Sequence, residues 1–184
     1  MANPAEKLLT FEEVARLDPD VHPGELVEGR WIPVTENTWR HGEIVVNVVV
    51  LLREYARRHP GWSVSAADPG TKLRAQPDTL RGPDVAIVRS ERVPRGRGSA
   101  GWLDGAPDVA VEIMGDDQTP AQLAKKALEY LAAGAKQVWV VDGAAASVIV
   151  YTPPDHLAVL GKGETLSGGE ALPGFSCTVD EILE

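Results

Sequence analysis

Apolar residues along the chain recur with two spacings. Ile44, Val48, Leu51, Leu52 and Tyr55 follow the helical one, and Arg53, Glu54, Arg57 and Arg58 fill its polar positions. The pattern predicts a helix over 38–58, stopped by His59-Pro60-Gly61, although the apolar run 45–52 also reads as a strand. Leu123, Ala127, Tyr130 and Leu131 trace a second helical face. Thr119-Pro120-Ala121-Gln122 opens that helix as a capping box with proline at its first position, and Gly134 closes it. Another capping box, Thr10 to Glu13, predicts a short helix ending near Asp18-Pro19.

Strand-like runs occupy most of the remainder. Residues 24–34 read as a hairpin turning at Glu28-Gly29, 62–67 and 71–74 as short strands, and 84–89 as a stronger one. A Gly/Arg-rich loop spans 89–106. Then come a buried strand at 109–114, a hairpin from 137–142 and 147–152, and a strand at 156–160. The strand–helix–strand passage over 109–141 implies a right-handed crossover with parallel pairing. The simplest assembly is α/β, a continuous mixed sheet with helices on its faces, in one domain over 1–184.

Composition narrows the function classes. The apolar fraction of 43% is that of an ordinary globular chain, and no run is long enough to span a membrane. No signal-peptide pattern opens the sequence, and the single cysteine, Cys177, fits a reducing, cytoplasmic setting. Histidines at 22, 41, 59 and 156 have no zinc spacing, and neither a phosphate loop nor a G-x-S-x-G elbow is present. A formal charge of −9 argues against nucleic-acid binding through the overall field. Local patches or a bound cation would have to provide it.

One strand position is chemically out of place. Glu112 lies within Val109 to Met114, and an unpaired carboxylate there costs several kcal/mol. Parity sets Ala110, Glu112 and Met114 on one face, with Val111 and Ile113 on the other. Asp108 shares that parity but lies about 13 Å along the strand, too far to share a metal ion. Asp84, from another strand, stands beside Glu112 if the two strands pair. Two such acids repel unless a cation separates them, and oxygen-only donors favour Mg2+ or Mn2+. On the following helix Lys126 flanks the buried face, whereas Lys125 points to solvent and pairs with Glu129. Each group has a plainer reading too: Asp84 as a turn cap, Glu112 on a half-exposed strand, Lys126 as a snorkelling side chain.

"GELVEG", "RGPDVAIVRSERVP", "PDVAVEIM", "KKALEYLAAG", "QVWVVD" and "LPGFSCTVDEIL" together resemble the Uma2 family, also called DUF820, of the PD-(D/E)XK nuclease superfamily. The resemblance runs over about 11–183 and implies a restriction-endonuclease-like core with an N-terminal hairpin and a C-terminal β-hairpin extension. It also implies a metal-dependent endonuclease acting on nucleic acid, DNA by preference, as a homodimer. Asp84, Glu112 and the main-chain carbonyl of Ile113 would hold Mg2+ or Mn2+, Lys126 would orient water or stabilise the transition state, and Glu25 would hold a metal-bound water or a second ion. His41 and Tyr130 match accessory family positions. Gly115-Asp116-Asp117-Gln118 departs from the family's Ser-Pro-Ser, so Asp116 and Asp117 either join the metal shell or repel a phosphate. That departure also motivates a rival reading, a nuclease-fold binding or regulatory module without turnover. A hydrolase of small phosphoesters is a third reading. Arg89, Arg92, Arg95 and Arg97 are the local candidates for phosphate contact, or else belong to a solvated loop.

Overall fold

The computed structural model describes residues 7–17 and 23–184. After the helical turn α1 (Phe11–Val14), a hairpin of β1 (Gly24–Val27) and β2 (Arg30–Pro33) leads into the long helix α2 (Trp39–Arg58). Next come β3 (Trp62–Ala66), β4 (Thr71–Arg74), β5 (Thr79–Arg81), β6 (Val85–Arg89), β7 (Leu103–Asp104) and β8 (Val109–Ile113). Helix α3 (Pro120–Ala132) follows, then β9 (Gln137–Asp142), β10 (Ser147–Thr152) and β11 (His156–Gly161). A small ribbon of β12 (Thr165–Ser167) and β13 (Ser176–Thr178) and the helix α4 (Val179–Leu183) end the chain.

Local chemistry sets these boundaries. Both Thr10 and Thr119 form reciprocal capping boxes, with Glu13 and Gln122. Thr38 caps α2 by accepting from the backbone N–H of His41. Gly134 takes a φ of +102° just past α3, where a side chain would be strained. The end of the first helix near Asp18-Pro19 lies outside the described residues. Helix, not strand, forms over 45–52, since tertiary burial of Ile44, Val48, Leu52 and Tyr55 requires the helical spacing.

The expected continuous sheet is instead split into two larger sheets, apart from the β12–β13 ribbon. The main one has six strands in the order β11-β10-β9-β8-β6-β3. β8 and β9 pair in parallel across α3, as expected, and the other pairs in this sheet are antiparallel. A second sheet runs β2-β1-β5-β4-β7. The separation occurs where the chain leaves β3, because Ala67 and Asp68 both take positive φ and redirect it. The sequence pattern omits β5, which has three residues and is followed by Gly82-Pro83, too short a run to register.

The six-stranded sheet is packed on both faces. Val109, Val111 and Ile113 point to α2, against Ile44, Val48, Leu52 and α4's Ile182. Ala110, Val138 and Val140 point to α3, against Leu123, Ala127 and Tyr130. Strand parity therefore sends Glu112 toward α3, and its surroundings there explain its presence.

Candidate active site

Asp84 immediately precedes Val85, which pairs with Val111, and Glu112 follows Val111 in the neighbouring strand. The two acids thus stand side by side at one end of β6 and β8. Asp84 Oδ2 accepts from the backbone N–H of Ile113 at 2.6 Å, which ties the strand ends together. Glu112 is 2% exposed, and both its oxygens are engaged by α3. Lys126 Nζ donates to Oε2 at 2.8 Å and Tyr130 Oη to Oε1 at 2.8 Å. Lys126 and Tyr130 lie one helical turn apart on the same face, so a single strand carboxylate receives both.

Glu25, from β1, completes the group. Its Oε1 lies 3.0 Å from Lys126 Nζ and accepts from the backbone N–H of Gly82 at 3.1 Å. Its Oε2 lies 2.7 Å from Arg81 Nη1. Arg81 turns its other donors to Glu129 on α3, Nε at 2.8 Å and Nη2 at 2.6 Å. One network, buried at Glu112 and Lys126 and part-buried at Glu25, Arg81 and Glu129, therefore joins these residues and bridges the two sheets and α3. Among the described residues no buried side-chain nitrogen or oxygen lacks a partner.

The electrostatics follow from this packing. Full burial pushes the Glu112 carboxyl up to about 7; Lys126 opposes the rise, and the charges of Asp84 and Glu25 add to it. Burial works against the Lys126 ammonium, but Glu112 and Glu25 outweigh it and hold the amine protonated well above its ordinary range. Burial would also raise Glu25, yet Lys126 and Arg81 bring it below the usual carboxylate value. Tyr130 is driven far up by burial and by the adjacent Glu112, so its hydroxyl stays a donor.

His41 approaches from α2. Its Nε2 lies 3.1 Å from Asp84 Oδ1. Burial disfavours its charge, but the Asp84 hydrogen bond and charge, assisted by Asp68 and by a hydrogen bond to the Ile113 carbonyl, raise its pKa overall. The imidazole thus engages Asp84, one of the groups expected to hold a metal ion.

Three participants were not legible in the sequence pattern. Arg81 sits in the short β5. Glu129 reads from spacing only as the surface partner of Lys125, a contact that measures 3.9 Å. Asp68 lies two residues past Ala66, which pairs with Val85 on the other side of β6. Asp68, Asp84 and Glu112 therefore mark the same end of three adjacent strands. A Cβ on Gly82 would come within 2.7 Å of Asp68 Cβ, 2.9 Å of its carbonyl oxygen and 3.0 Å of its Cα. Only glycine permits this approach. Burial and the Asp84 charge raise the Asp68 carboxyl, against the pull of Lys126.

The remaining candidates lie elsewhere. Asp116 and Asp117 are exposed in the turn before α3 and bond to no site residue among those described. Arg89 to Arg97 leave β6 at the end opposite Asp84, about 17 Å along the strand. Arg89 stacks on Trp62 at 3.9 Å. Arg92 donates to the carbonyl of Ala106 at 2.7 Å and lies 3.5 Å from Asp108. Both are committed to contacts within the fold although exposed, whereas the equally exposed Arg95 and Arg97 make none among the described residues. Asp108 anchors this far end, paired with Lys136 at 2.7 Å.

The donors would suit a hard divalent cation: Asp84, Glu112 and the Ile113 carbonyl all offer oxygen, and each carboxylate oxygen retains lone-pair capacity. Five carboxylates, Glu25, Asp68, Asp84, Glu112 and Glu129, gather in this region around the cations of Lys126 and Arg81, with the exposed Lys125 3.9 Å from Glu129. Among the described residues no three His, Cys, Asp or Glu side chains form a ready-made ligand set, so the fit is that of two carboxylates and a carbonyl. No described helix is long and apolar enough to cross a membrane.

Comparison with known proteins agrees with this architecture. A crystal structure from Anabaena variabilis ATCC 29413, described as "a putative nuclease belonging to DUF820", superposes with a TM-score of 0.81 at 19% identity, covering 95% of this chain and 97% of that one. At that identity the likeness shows the fold. No curated protein matches. The family model "Uma2: Putative restriction endonuclease" matches residues 10–180. The chain belongs to the Uma2 family.

Proposed function

We propose that the protein is a divalent-metal-dependent endonuclease, hydrolysing phosphodiester bonds of nucleic acid, DNA by preference, as a cytoplasmic homodimer. The observation that carries the reading is the meeting of Asp84 and Glu112 on adjacent strands with Lys126 2.8 Å from Glu112. Asp84, Glu112 and the Ile113 carbonyl would hold Mg2+ or Mn2+. The bound ion supplies activation of water and neutralisation of phosphate charge. Lys126 remains protonated, so it acts as a fixed positive charge toward the transition-state anion and not as a base. Glu25 holds Lys126 in place, and Tyr130 fixes the Glu112 carboxylate through its O–H. His41 orients Asp84 through Nε2. Arg95 and Arg97 are the arginines of the loop that no contact among the described residues engages, and so remain available for phosphate, remote from the chemistry.

The test is plasmid and oligonucleotide cleavage with Mg2+ or Mn2+, comparing wild type with Asp84→Ala, Glu112→Gln and Lys126→Ala. Each change is expected to lower cleavage by about a hundredfold or more. Activity surviving all three would remove these residues from the mechanism.

A second reading, a nuclease-fold binding or regulatory module, is favoured by one observation: Glu25, Asp84 and Glu112 already have internal partners, and among the described residues no three-side-chain ligand set stands ready. Titration calorimetry separates the two. The nuclease binds Mn2+ in a manner that Glu112→Gln weakens, and the module does not.

A further inference from the structure

Helix α2 carries two apolar stripes. Ile44, Val48, Leu52 and Tyr55 form the one buried on the sheet. At 100° per residue, Trp39, Val46 and Val50 fall within about 40° of one another on the opposite side. They are 86%, 60% and 50% exposed. The neighbouring helix α4 covers only the flank of α2, where Asn47 Nδ2 donates to the Ile182 carbonyl at 3.1 Å. A tryptophan and two valines aligned on a bare helix face, bordered by charge, have the composition of a contact surface.

We infer that this outer stripe is the face through which two copies of the chain associate, α2 against α2, antiparallel about a two-fold axis level with Val48. The charges on the stripe select this occupant. Glu43 lies toward its N-terminal end and Arg53 and Arg57 toward its C-terminal end. Antiparallel pairing sets position i against 96 − i. Val46 of one copy then meets Val50 of the other, Trp39 lies over Arg57 as a cation–π pair, and Glu43 comes within reach of Arg53. Parallel pairing would oppose like charges. Among the described residues Glu43 has only a 3.4 Å contact with Arg40, and Arg53 and Arg57 have no ion pair. The inference rests on the homodimer of the functional reading but on none of its chemistry.

Sedimentation velocity of the full chain over a wide concentration range tests it. Wild type is expected to dimerise, and Val46→Glu and Val50→Glu each to weaken the dimer at least about tenfold. Glu43→Arg should weaken it as well, and Glu43→Arg combined with Arg53→Glu should restore it. All four positions are on the surface, so thermal melting should show each variant folded. A dimer insensitive to both valine substitutions overturns this face and leaves the homodimer standing. A wild type that stays monomeric throughout overturns both.

Discussion

Lys126 on α3 and Glu112 on β8 meet at 2.8 Å with side chains only 11% and 2% exposed. Taking two charges out of water is costly, and breaking such a pair costs more than the pair contributes. Lys126→Met is therefore expected to destabilise the protein by about 3–5 kcal/mol, since it leaves Glu112 without its cation. The double variant Glu112→Gln with Lys126→Met should lose less than Lys126→Met alone, because no buried carboxylate is then stranded there. Urea unfolding of the three proteins checks this.

The raised carboxyl of Glu112 has a definite sign. It titrates near 7 in the fold against 4.5 when unperturbed, so between those values the folded state holds the extra proton. Its contribution to stability is full below pH 4.5 and is lost as pH rises through about 7. Cation binding runs the other way, since a ligand must be deprotonated. Mn2+ affinity should increase as pH passes through about 7, and this dependence should be reduced in Glu112→Gln, leaving the part that His41 beside Asp84 contributes. Calorimetry across that range measures it.

Arg81 spans Glu25 and Glu129 at 2.7 and 2.6 Å, and so connects the second sheet to α3. Arg81→Leu should cost about 3–5 kcal/mol. Arg81→Lys should recover only part of that, because one ammonium does not reproduce the planar fork that reaches both acids. Thermal melts of both variants test the difference.

Cys177 is buried, and burial pushes its thiol up to about 12, with Glu181 adding to the rise. The native protein should not react with a thiol reagent at neutral pH, and reactivity should appear with the unfolding transition. A labelling time course in increasing urea follows both.

Glu112 and Lys126 could be picked out of the sequence because each breaks a simple periodicity. A carboxylate in an apolar period-two run and an amine flanking a 100° stripe both announce their facing. Asp84 required one further step, the assumption that its strand pairs with that of Glu112, and the register bears it out. Arg81 and Asp68 break no pattern. One lies in a three-residue strand, the other in a turn whose direction depends on two positive φ values. The second sheet was invisible for the same reason, since β1 reaches β5 through the single Leu26–Leu80 register pair far along the chain. The arginine loop illustrates the converse: its composition suggested contact with phosphate, but composition says nothing about which end of a strand a loop occupies.

The alignment of Val85 with Val111 sets Glu112 and Asp84 at one level while sending Val109, Val111 and Ile113 into the α2 core. Because facing alternates at every residue, deleting one residue inside β8 would exchange the two sets, turning the carboxylate onto Ile44 and Val48 and the valines onto Lys126. The acidic site positions and the oily interior are thus kept in phase by a single frame, and no one-residue indel within that strand can disturb one while sparing the other.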